Sequence, residues 1–260
     1  MYEHYLEKLI ALLAEEYNCT AEQIKGGERE NVLTRSRLSM CGRRYSSEPH
    51  FFHMVTLGAN AVVTANEALH PFLSEYVRDK NGYFLFEIKN LRPIERELNT
   101  HGYALSDTYH MFLPKHGAQV EPMLEQARRS VQALSIRRLD EAELPPFYCE
   151  ARIENALTEK PDPNRPDRVA FAADSGGELI AIAGCSEDAP GWMQIGVDVF
   201  EGFRGRGVGK LLVALLRNDI EERGDVPFYG TGVSNYRSWS TALACGFRPA
   251  WLEIGAVRLR

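Results

Sequence analysis

The fold is decided by the stretch Val197-Asp198-Val199-Phe200-Glu201-Gly202-Phe203-Arg204-Gly205-Arg206-Gly207-Val208-Gly209-Lys210. Before it, apolar and other residues alternate from 193 to 200, which predicts a half-buried strand. After it, apolar residues recur every three or four positions to Ile220 and predict an amphipathic helix. The first amides of such a helix have no intrahelical partner and lie at the positive end of its dipole. We therefore expect a phosphate-like anion to bind there, because Gly205, Gly207 and Gly209 lack the side chains that would block it.

Composition limits the classes of protein that this chain can belong to. Its 260 residues are enough for two ordinary domains. The 30 basic and 36 acidic residues give a formal net charge of -6, which disfavours a nucleic-acid partner. No apolar run approaches the roughly 20 residues of a membrane span, and the N-terminus lacks a signal-peptide pattern. We therefore expect a cytoplasmic protein without a membrane partner.

Cysteine and histidine usage argues against a disulfide framework or a metal site. The five cysteines are odd in number and far apart, so we expect reduced, mostly buried thiols. The seven histidines all lie within the first 116 residues. His50 and His53 have a spacing that fits one helical face, but no further ligands follow at a set spacing. No metal is expected.

Hydrophobic periodicity predicts an alternation of helices and strands along the whole chain. In the N-terminal half we predict a helix at 2–17, strands at 31–34, 51–57 and 61–64, a helix at 67–77, a strand at 83–88, a helix at 91–98, a strand at 103–113 and a connecting helix at 121–129. In the C-terminal half we predict a strand at 135–139, a helix from 140 to about 157, strands at 169–173, 179–185 and 193–200, the helix after the glycines, a strand at 227–233, a helix at 235–245 and a strand at 247–259. A loop through residues 187, 188 and 190 separates two of these strands.

This element order in residues 133–260 resembles the GNAT superfamily of acyl-CoA-dependent N-acyltransferases. The family's pyrophosphate loop is Q/R-x-x-G-x-G/A, and Arg204-Gly205-Arg206-Gly207-Val208-Gly209 fits it between a strand and a helix. Asn235, followed after a short helix by Gly246-Phe247, is similar to the family's second cofactor segment. The resemblance implies an α/β fold of the mixed-sheet α+β kind in the C-terminal half, beside a smaller α/β N-terminal domain.

Two other phosphate-binding motifs do not fit the glycine stretch. A P-loop requires a glycine where Arg204 stands and a serine or threonine where Leu211 stands. A dinucleotide-binding fingerprint has its glycines at G-x-G-x-x-G, whereas the spacing here is G-x-G-x-G. Both alternatives are set aside.

The resemblance also implies which residues hold acetyl-CoA, the expected co-substrate. Backbone groups of 197–199 would pair with the pantetheine arm, and an amide near Val199 would stabilise the thioester oxygen as charge develops. Asn235 would contact the pantetheine or adenosine part, cap a helix, or do both. The cofactor-binding residues are therefore predicted to be Val197, Val199, Arg204, Gly205, Arg206, Gly207, Val208, Gly209, Lys210 and Asn235.

The residues that transfer protons depart from the family pattern. Many members have a glutamate early on the strand before the loop, where this chain has Met193 and Gln194. The candidates for the general base are Asp198, Glu187, Asp188 or a water-mediated route.

The usual general acid is also replaced. Family members often have a tyrosine four residues before the glycine of the Gly-Phe pair, and Ala242 occupies that place here. We predict Tyr236 as the substitute, with Ser238 and Tyr229 as alternatives.

The N-terminal half repeats part of the C-terminal element order without a phosphate loop. We interpret residues 1–117 as a degenerate acyltransferase-like domain that shapes the acceptor cleft or forms a homodimer contact, joined by 118–132 to the acetyltransferase domain at 133–260. The predicted function is transfer of an acetyl group to the primary amine of a small molecule or peptide. A non-catalytic acyl-CoA-binding or sensing module is the main alternative, and a nucleotide-binding domain of another family is a third.

Overall fold

The predicted alternation of helices and strands is present in the computed structural model, which describes residues 2–27 and 30–259. The helices are α1 (Tyr2–Glu16), α2 (Ala21–Lys25), α3 (His70–Tyr76), α4 (Ile88–Thr100), α5 (Val120–Ser130), α6 (Val208–Glu222) and α7 (Tyr236–Ala244). The strands are β1 (Val32–Arg35), β2 (Phe52–Thr56), β3 (Ala61–Ala65), β4 (Tyr103–Leu105), β5 (Tyr109–Pro114), β6 (Leu134–Asp140), β7 (Asp167–Ser175), β8 (Glu178–Ala189), β9 (Trp192–Val199), β10 (Val226–Gly232) and β11 (Phe247–Arg258).

The chain divides into two compact units that are interleaved in sequence. The C-terminal unit contains Phe112–Gly230 and Asn235–Arg248, together with Tyr2. The N-terminal unit contains Glu3–Met111, Thr231–Ser234 and the chain from Pro249 onward. The predicted boundaries at 117 and 133 divide the chain into consecutive segments and stay a prediction.

A mixed sheet forms the centre of the C-terminal unit, with the strand order β6-β7-β8-β9-β10. Neighbours from β6 to β9 are antiparallel, and β9 and β10 are parallel. Helices α5 and α6 pack on the face that carries Val197 and Val199, where the apolar stripe of α6 is buried. This arrangement confirms the predicted α/β class with a mixed sheet.

The neighbouring strands of the N-terminal unit are β1-β3-β2-β11, in that order. Strand β1 is parallel to β3, whereas β2 is antiparallel to both β3 and β11. The short strand β4 pairs with the end of β11. A core cluster buries apolar side chains of α3 and α4 together with those of β2 and β3.

A buried ion-pair network lies within the N-terminal unit and was not predicted. The Arg43 guanidinium bridges two carboxylates, with N–O distances of 2.8 Å to Glu16 and 2.9 Å to Glu253. Trp251 Nε1 donates to the same Glu253 carboxylate at 2.7 Å. These bonds satisfy charges that would otherwise be costly to bury. They tie the end of α1 and residue 43 to β11.

The strand predicted at 83–88 is wrong. Residues Gly82–Phe86 form a 3₁₀ helix, and α4 begins at Ile88. Gly82 and Leu85 are buried while Tyr83 and Phe84 are exposed, a spacing of three that suits a 3₁₀ turn rather than a strand. A Cβ on Gly82 would overlap the backbone of Asn60 and Ala61, so the close approach of this turn also requires glycine. The strand predicted at 103–113 is divided into β4 and β5.

The helix predicted from 140 to about 157 is also wrong. The chain instead forms two 3₁₀ turns, Glu141–Glu143 and Pro145–Cys149, and then becomes irregular. The prolines at 145 and 146 lack the amide donors that a continuing α-helix would need there. In contrast, β8 continues through residues 187–189, which were predicted as a loop.

The five cysteines are free thiols, as predicted, but most of them are not buried. Cys185 and Cys245 are buried, Cys19 is intermediate, and Cys41 and Cys149 are exposed. Within residues 2–27 and 30–259, no group of three or more His, Cys, Asp or Glu side chains could hold a metal ion. In the same residues no helix is both long and apolar enough to cross a membrane.

Candidate functional site

The glycine loop between β9 and α6 is the centre of the candidate site in the C-terminal unit. Gly202, Gly205 and Gly207 have φ angles of 84°, 78° and 86°, a left-handed conformation that favours glycine. Gly207 is the N-cap residue of α6, and its carbonyl accepts the first helical bond, from Leu211 N at 3.1 Å. The amides of residues 208–210 therefore come before the first intrahelical bond and have no partner within the helix.

Helix α6 begins in direct contact with the end of β9. A Cβ built on Gly209 would lie 2.8 Å from Val199 Cγ2 and 3.7 Å from Val197 Cγ2. Side chains larger than hydrogen would separate the helix from the strand. The glycine therefore sets the distance between the first turn of α6 and the two strand residues predicted to bind the pantetheine arm.

Basic side chains surround this loop. Arg204 Nε donates to the Val199 carbonyl at 2.9 Å, which ties the middle of the loop to the end of the strand. The Arg206 guanidinium donates to the Ser130 carbonyl at 3.2 Å and lies 5.2 Å from the centroid of the Phe203 ring. Lys210 is exposed on the first turn of the helix. The glycines, the amides and these cations fit a bound diphosphate.

The two parallel strands next to the loop are paired over only part of β9. The register joins Trp192 to Val226 and continues to Ile195 and Tyr229. Strand β9 then runs on from Gly196 to Val199 beyond the last residue of that register, while β8 pairs with its other edge as far as Val199. An extended ligand arm that lay beside residues 196–199 would meet an edge of main-chain donors and acceptors.

Asn235 caps α7, which was one of its two predicted roles. Its side-chain oxygen accepts from Ser238 N at 3.1 Å. Tyr236 is the first residue of α7, and 77% of its surface is exposed. Contact between Asn235 and a cofactor, and a catalytic role for Tyr236, stay predictions.

The alternative proton donors form a pair between β10, which carries Tyr229, and α7, which carries Ser238. Tyr229 Oη lies 2.8 Å from Ser238 Oγ, and burial raises the pKa of the Tyr229 hydroxyl because it disfavours the phenolate. Ala242, at the position of the family's usual tyrosine, is fully buried in the core. Its small side chain offers no proton.

Asp198 binds the main chain of another segment. Its Oδ2 atom accepts from the amides of Glu154, Asn155 and Ala156 at 3.0, 2.8 and 2.8 Å. Its Oδ1 atom accepts from Asn155 Nδ2 at 2.7 Å. The carboxylate is 8% exposed and takes up four donors, so the arrangement around it is that of a structural anchor.

Glu187 and Asp188 are likewise engaged by arginines. Glu187 Oε2 accepts from the Arg168 guanidinium at 2.5 and 2.8 Å. Asp188 is fully buried and accepts from Arg165 Nε at 2.9 Å and from Ser186 Oγ at 2.7 Å. Because Glu187 is opposite Met193 in the register, it lies at the start of β9, whereas the glycine loop follows its end. The predicted catalytic carboxylates are therefore not gathered at the loop.

Sequence reasoning missed the contact between two strand glycines and the segment that Asp198 binds. Gly184 and Gly196 are opposite each other on β8 and β9. A Cβ on Gly196 would overlap the Asn155 carbonyl oxygen, and one on Gly184 would overlap the carbonyl oxygen of Ala156. The available signal was the glycines themselves, because a glycine inside a strand often marks a close backbone approach.

Comparison with known protein families agrees with this geometry. Residues 134–247 match the model of the Acetyltransferase (GNAT) family, a range that contains the sheet, the glycine loop, α6 and α7. Residues 134–247 are a GNAT-family domain. The GNAT domain therefore includes every residue predicted to bind the cofactor or transfer protons. No curated protein sequence matches the chain.

The chain is also similar to several solved structures. A GNAT-family protein from Novosphingobium aromaticivorans is 17% identical, with a TM-score of 0.43 over 60% of this chain and 66% of its own. An N-acetyltransferase-like protein from Streptococcus suis is 15% identical, with a TM-score of 0.49; the match covers 66% of this chain and 69% of that protein. The chain thus spans about two thirds of the length of these proteins. The protein yncA from Salmonella typhimurium, solved with its cofactor acetyl-CoA, is 16% identical, with a TM-score of 0.34; the match covers 50% of this chain and 95% of that protein.

Proposed function

We propose that this protein transfers an acetyl group from acetyl-CoA to a primary amine of a small molecule or peptide by direct attack of the amine. The observation that carries the proposal is the position of the glycine loop and the α6 N-terminus directly after β9, at the end where pairing with β10 has stopped. Such a site offers free amides to a diphosphate and a strand edge to the arm that follows it.

The residues of the GNAT domain have separate tasks in this proposal. The amides at 204–210, with Arg204 and Arg206, bind the diphosphate. Backbone groups from Val197 to Val199 orient the arm, and an amide near Val199 donates to the oxygen on which charge develops. When bound, acetyl-CoA supplies the acetyl thioester.

Proton transfer is assigned to residues of β10 and α7 and to water. An alkyl amine with a pKa near 10.4 is almost entirely protonated at neutral pH, so a proton must leave it before attack. Because Asp198 and Glu187 are both engaged by other donors, we propose a water-mediated route for this proton. Tyr236 is proposed to protonate the departing thiolate, with the Tyr229–Ser238 pair as the alternative donor.

A second function is favoured by one specific observation. The carboxylates predicted as the base are bound to main-chain amides or arginines, and Ala242 replaces the usual acid. A non-catalytic module that binds or senses acyl-CoA needs neither group. Such a module would bind acyl-CoA through the same glycine loop, α6 N-terminus and β9 edge.

One experiment separates the two functions. Acetyl-CoA binding is measured by calorimetry, and release of free CoA thiol is measured with a panel containing a polyamine, an aminoglycoside, a lysine peptide and a peptide with a free α-amino group. We expect binding together with amine-dependent thiol release. Tight binding without release for any amine would favour the sensing module, and no binding at all would contradict both functions.

A further inference from the structure

The segment bound by Asp198, residues 154–157, is here named the covering segment. It lies on the face of β8 and β9 opposite α6, because side chains alternate along β9 and Val197 and Val199 face the helix while Gly196 and Asp198 face away from it. Ala156 and Leu157 are buried in a second core cluster on that face. The covering segment is therefore a fixed part of the sheet surface next to the C-terminal end of β9.

Two independent features hold the covering segment in place. Four hydrogen bonds from Glu154, Asn155 and Ala156 converge on Asp198 from one side. From the other side, the missing side chains of Gly184 and Gly196 let the segment's carbonyl groups lie directly on the strands. The segment has no regular secondary structure of its own, so these contacts replace the internal hydrogen bonds that a helix would have.

The position of this segment bears on how an acceptor reaches the site. Helix α6 fills the face of β9 that carries Val197 and Val199. We therefore expect an amine that attacks a thioester held along the β9 edge to come from the opposite side of the sheet, past the segment that covers Gly196 and Asp198. On that face the nearest main chain is the covering segment.

We propose that Asp198 is a positioning residue that fixes the covering segment as the acceptor-side wall of the site, rather than a base that accepts the proton of the amine. This inference rests on the proposed acetyl transfer. A carboxylate is required because four N–H donors converge on it and an amide side chain would present an NH₂ group to some of them. Geometric precision of this kind affects the placement of the acceptor more than the binding of acetyl-CoA.

The test compares Asp198→Asn with Gly196→Ala, which displaces the same segment without changing the carboxylate. For the best amine of the panel, we expect both variants to raise the acceptor KM about tenfold or more while the Kd for acetyl-CoA changes less than about twofold. The pH dependence of kcat keeps its wild-type shape in both. Gly117→Ala is the matched control, because no atom lies within 4 Å of the Cβ position of Gly117.

Several results would overturn the inference. If Asp198→Asn removed the acidic limb of the pH profile and left the acceptor KM unchanged, Asp198 would be the base. An unchanged acceptor KM in Gly196→Ala would show that the covering segment does not contribute to acceptor binding. If Asp198→Asn does not fold, Asn155→Ala replaces it, since this change removes one of the four bonds from an exposed residue and is expected to give a smaller effect in the same direction.

Hydrogen exchange distinguishes failure of this inference from failure of the proposed function. In the wild type the amides of 154–156 should be protected, and in Asp198→Asn they should exchange at least about tenfold faster. Unchanged exchange would overturn the anchoring role whatever the activity of the protein. A wild-type protein that shows protected amides but transfers no acetyl group would contradict the proposed function and, with it, the acceptor-side wall.

Discussion

Gly209 on α6 and Val199 on β9 are in such close contact that a Cβ on the glycine would lie 2.8 Å from Val199 Cγ2. This distance is shorter than a carbon–carbon contact can be without strain. The first turn of α6 can thus lie this close to the end of β9 only because residue 209 has no side chain. Since the helix amides and the strand edge are proposed to bind successive parts of one ligand, their separation determines whether both bind at once.

Gly209→Ala is expected to weaken acetyl-CoA binding. The added methyl group forces the helix start away from the strand, and overpacking of this kind costs about 1–3 kcal/mol, so the Kd measured by calorimetry should rise about tenfold. The double variant Gly209→Ala with Val199→Ala removes the clashing Cγ2 atom and should recover most of the affinity. Equal acetyl-CoA affinity of the wild type and the single variant would show that the spacing of α6 and β9 at this contact does not determine cofactor binding.

Tyr236→Phe tests the proposed proton donor. Loss of the hydroxyl should lower kcat about tenfold or more, as for a general acid, without changing the Kd for acetyl-CoA. Tyr236 is mostly exposed, so the folded state should be unaffected, and thermal unfolding provides the control. If kcat is unchanged in Tyr236→Phe and falls in Tyr229→Phe, the donor is the hydroxyl that lies 2.8 Å from Ser238 Oγ.

Local sequence patterns were sufficient for the elements that form the loop site. The alternation before 200, the glycines and the apolar stripe after 207 predicted β9, the loop and α6 close to their observed bounds, because each pattern reflects contacts with near neighbours. The cap at Asn235 was predicted on the same local grounds. These parts of the site needed no knowledge of distant residues.

The roles of the carboxylates depended on contacts that no local pattern records. Asp198 was predicted as a candidate base, but its donors come from residues 42 to 44 positions earlier in the chain. That segment was itself predicted as part of an α-helix, whereas the chain forms a short 3₁₀ helix at Pro145–Cys149 and then becomes irregular. Arg168 and Arg165, which engage Glu187 and Asp188, are likewise brought close only when β7 pairs with β8.

The free thiols should differ sharply in reactivity. Burial raises the pKa of the Cys245 thiol to about 12, and burial likewise raises the pKa of Cys185. Because the thiolate is the reactive form, iodoacetamide at mildly alkaline pH should label the exposed Cys41 and Cys149 in the native protein. Cys185 and Cys245 should be labelled only after denaturation, as mass spectrometry of tryptic peptides would show. Rapid native labelling of Cys245 would mean that the contact of its thiol with the Lys210 carbonyl opens readily.

The Arg43–Glu253 pair should make the stability of the N-terminal unit depend on pH. Burial alone would raise the pKa of the Glu253 carboxyl, but the charge of Arg43, followed by that of His53 and by hydrogen bonds from Arg43 and Trp251, outweighs it and lowers the pKa below 4.5. A carboxyl with a lowered pKa in the folded state binds protons more readily when unfolded. Its stabilising contribution is therefore present above pH 4.5 and is lost as the pH falls through the folded value.

Glu253→Gln should consequently destabilise the protein near neutral pH and flatten this acid dependence. Arg43 keeps its ion pair with Glu16, so the loss, measured by urea unfolding, should be smaller than the about 3–5 kcal/mol typical of a buried charge left without any partner. The double variant Arg43→Met with Glu253→Gln removes both charges. Its free energy of unfolding should fall by less than the sum of the two single-variant losses, because the residues are in direct contact. Additive losses would show that the two side chains stabilise the fold independently.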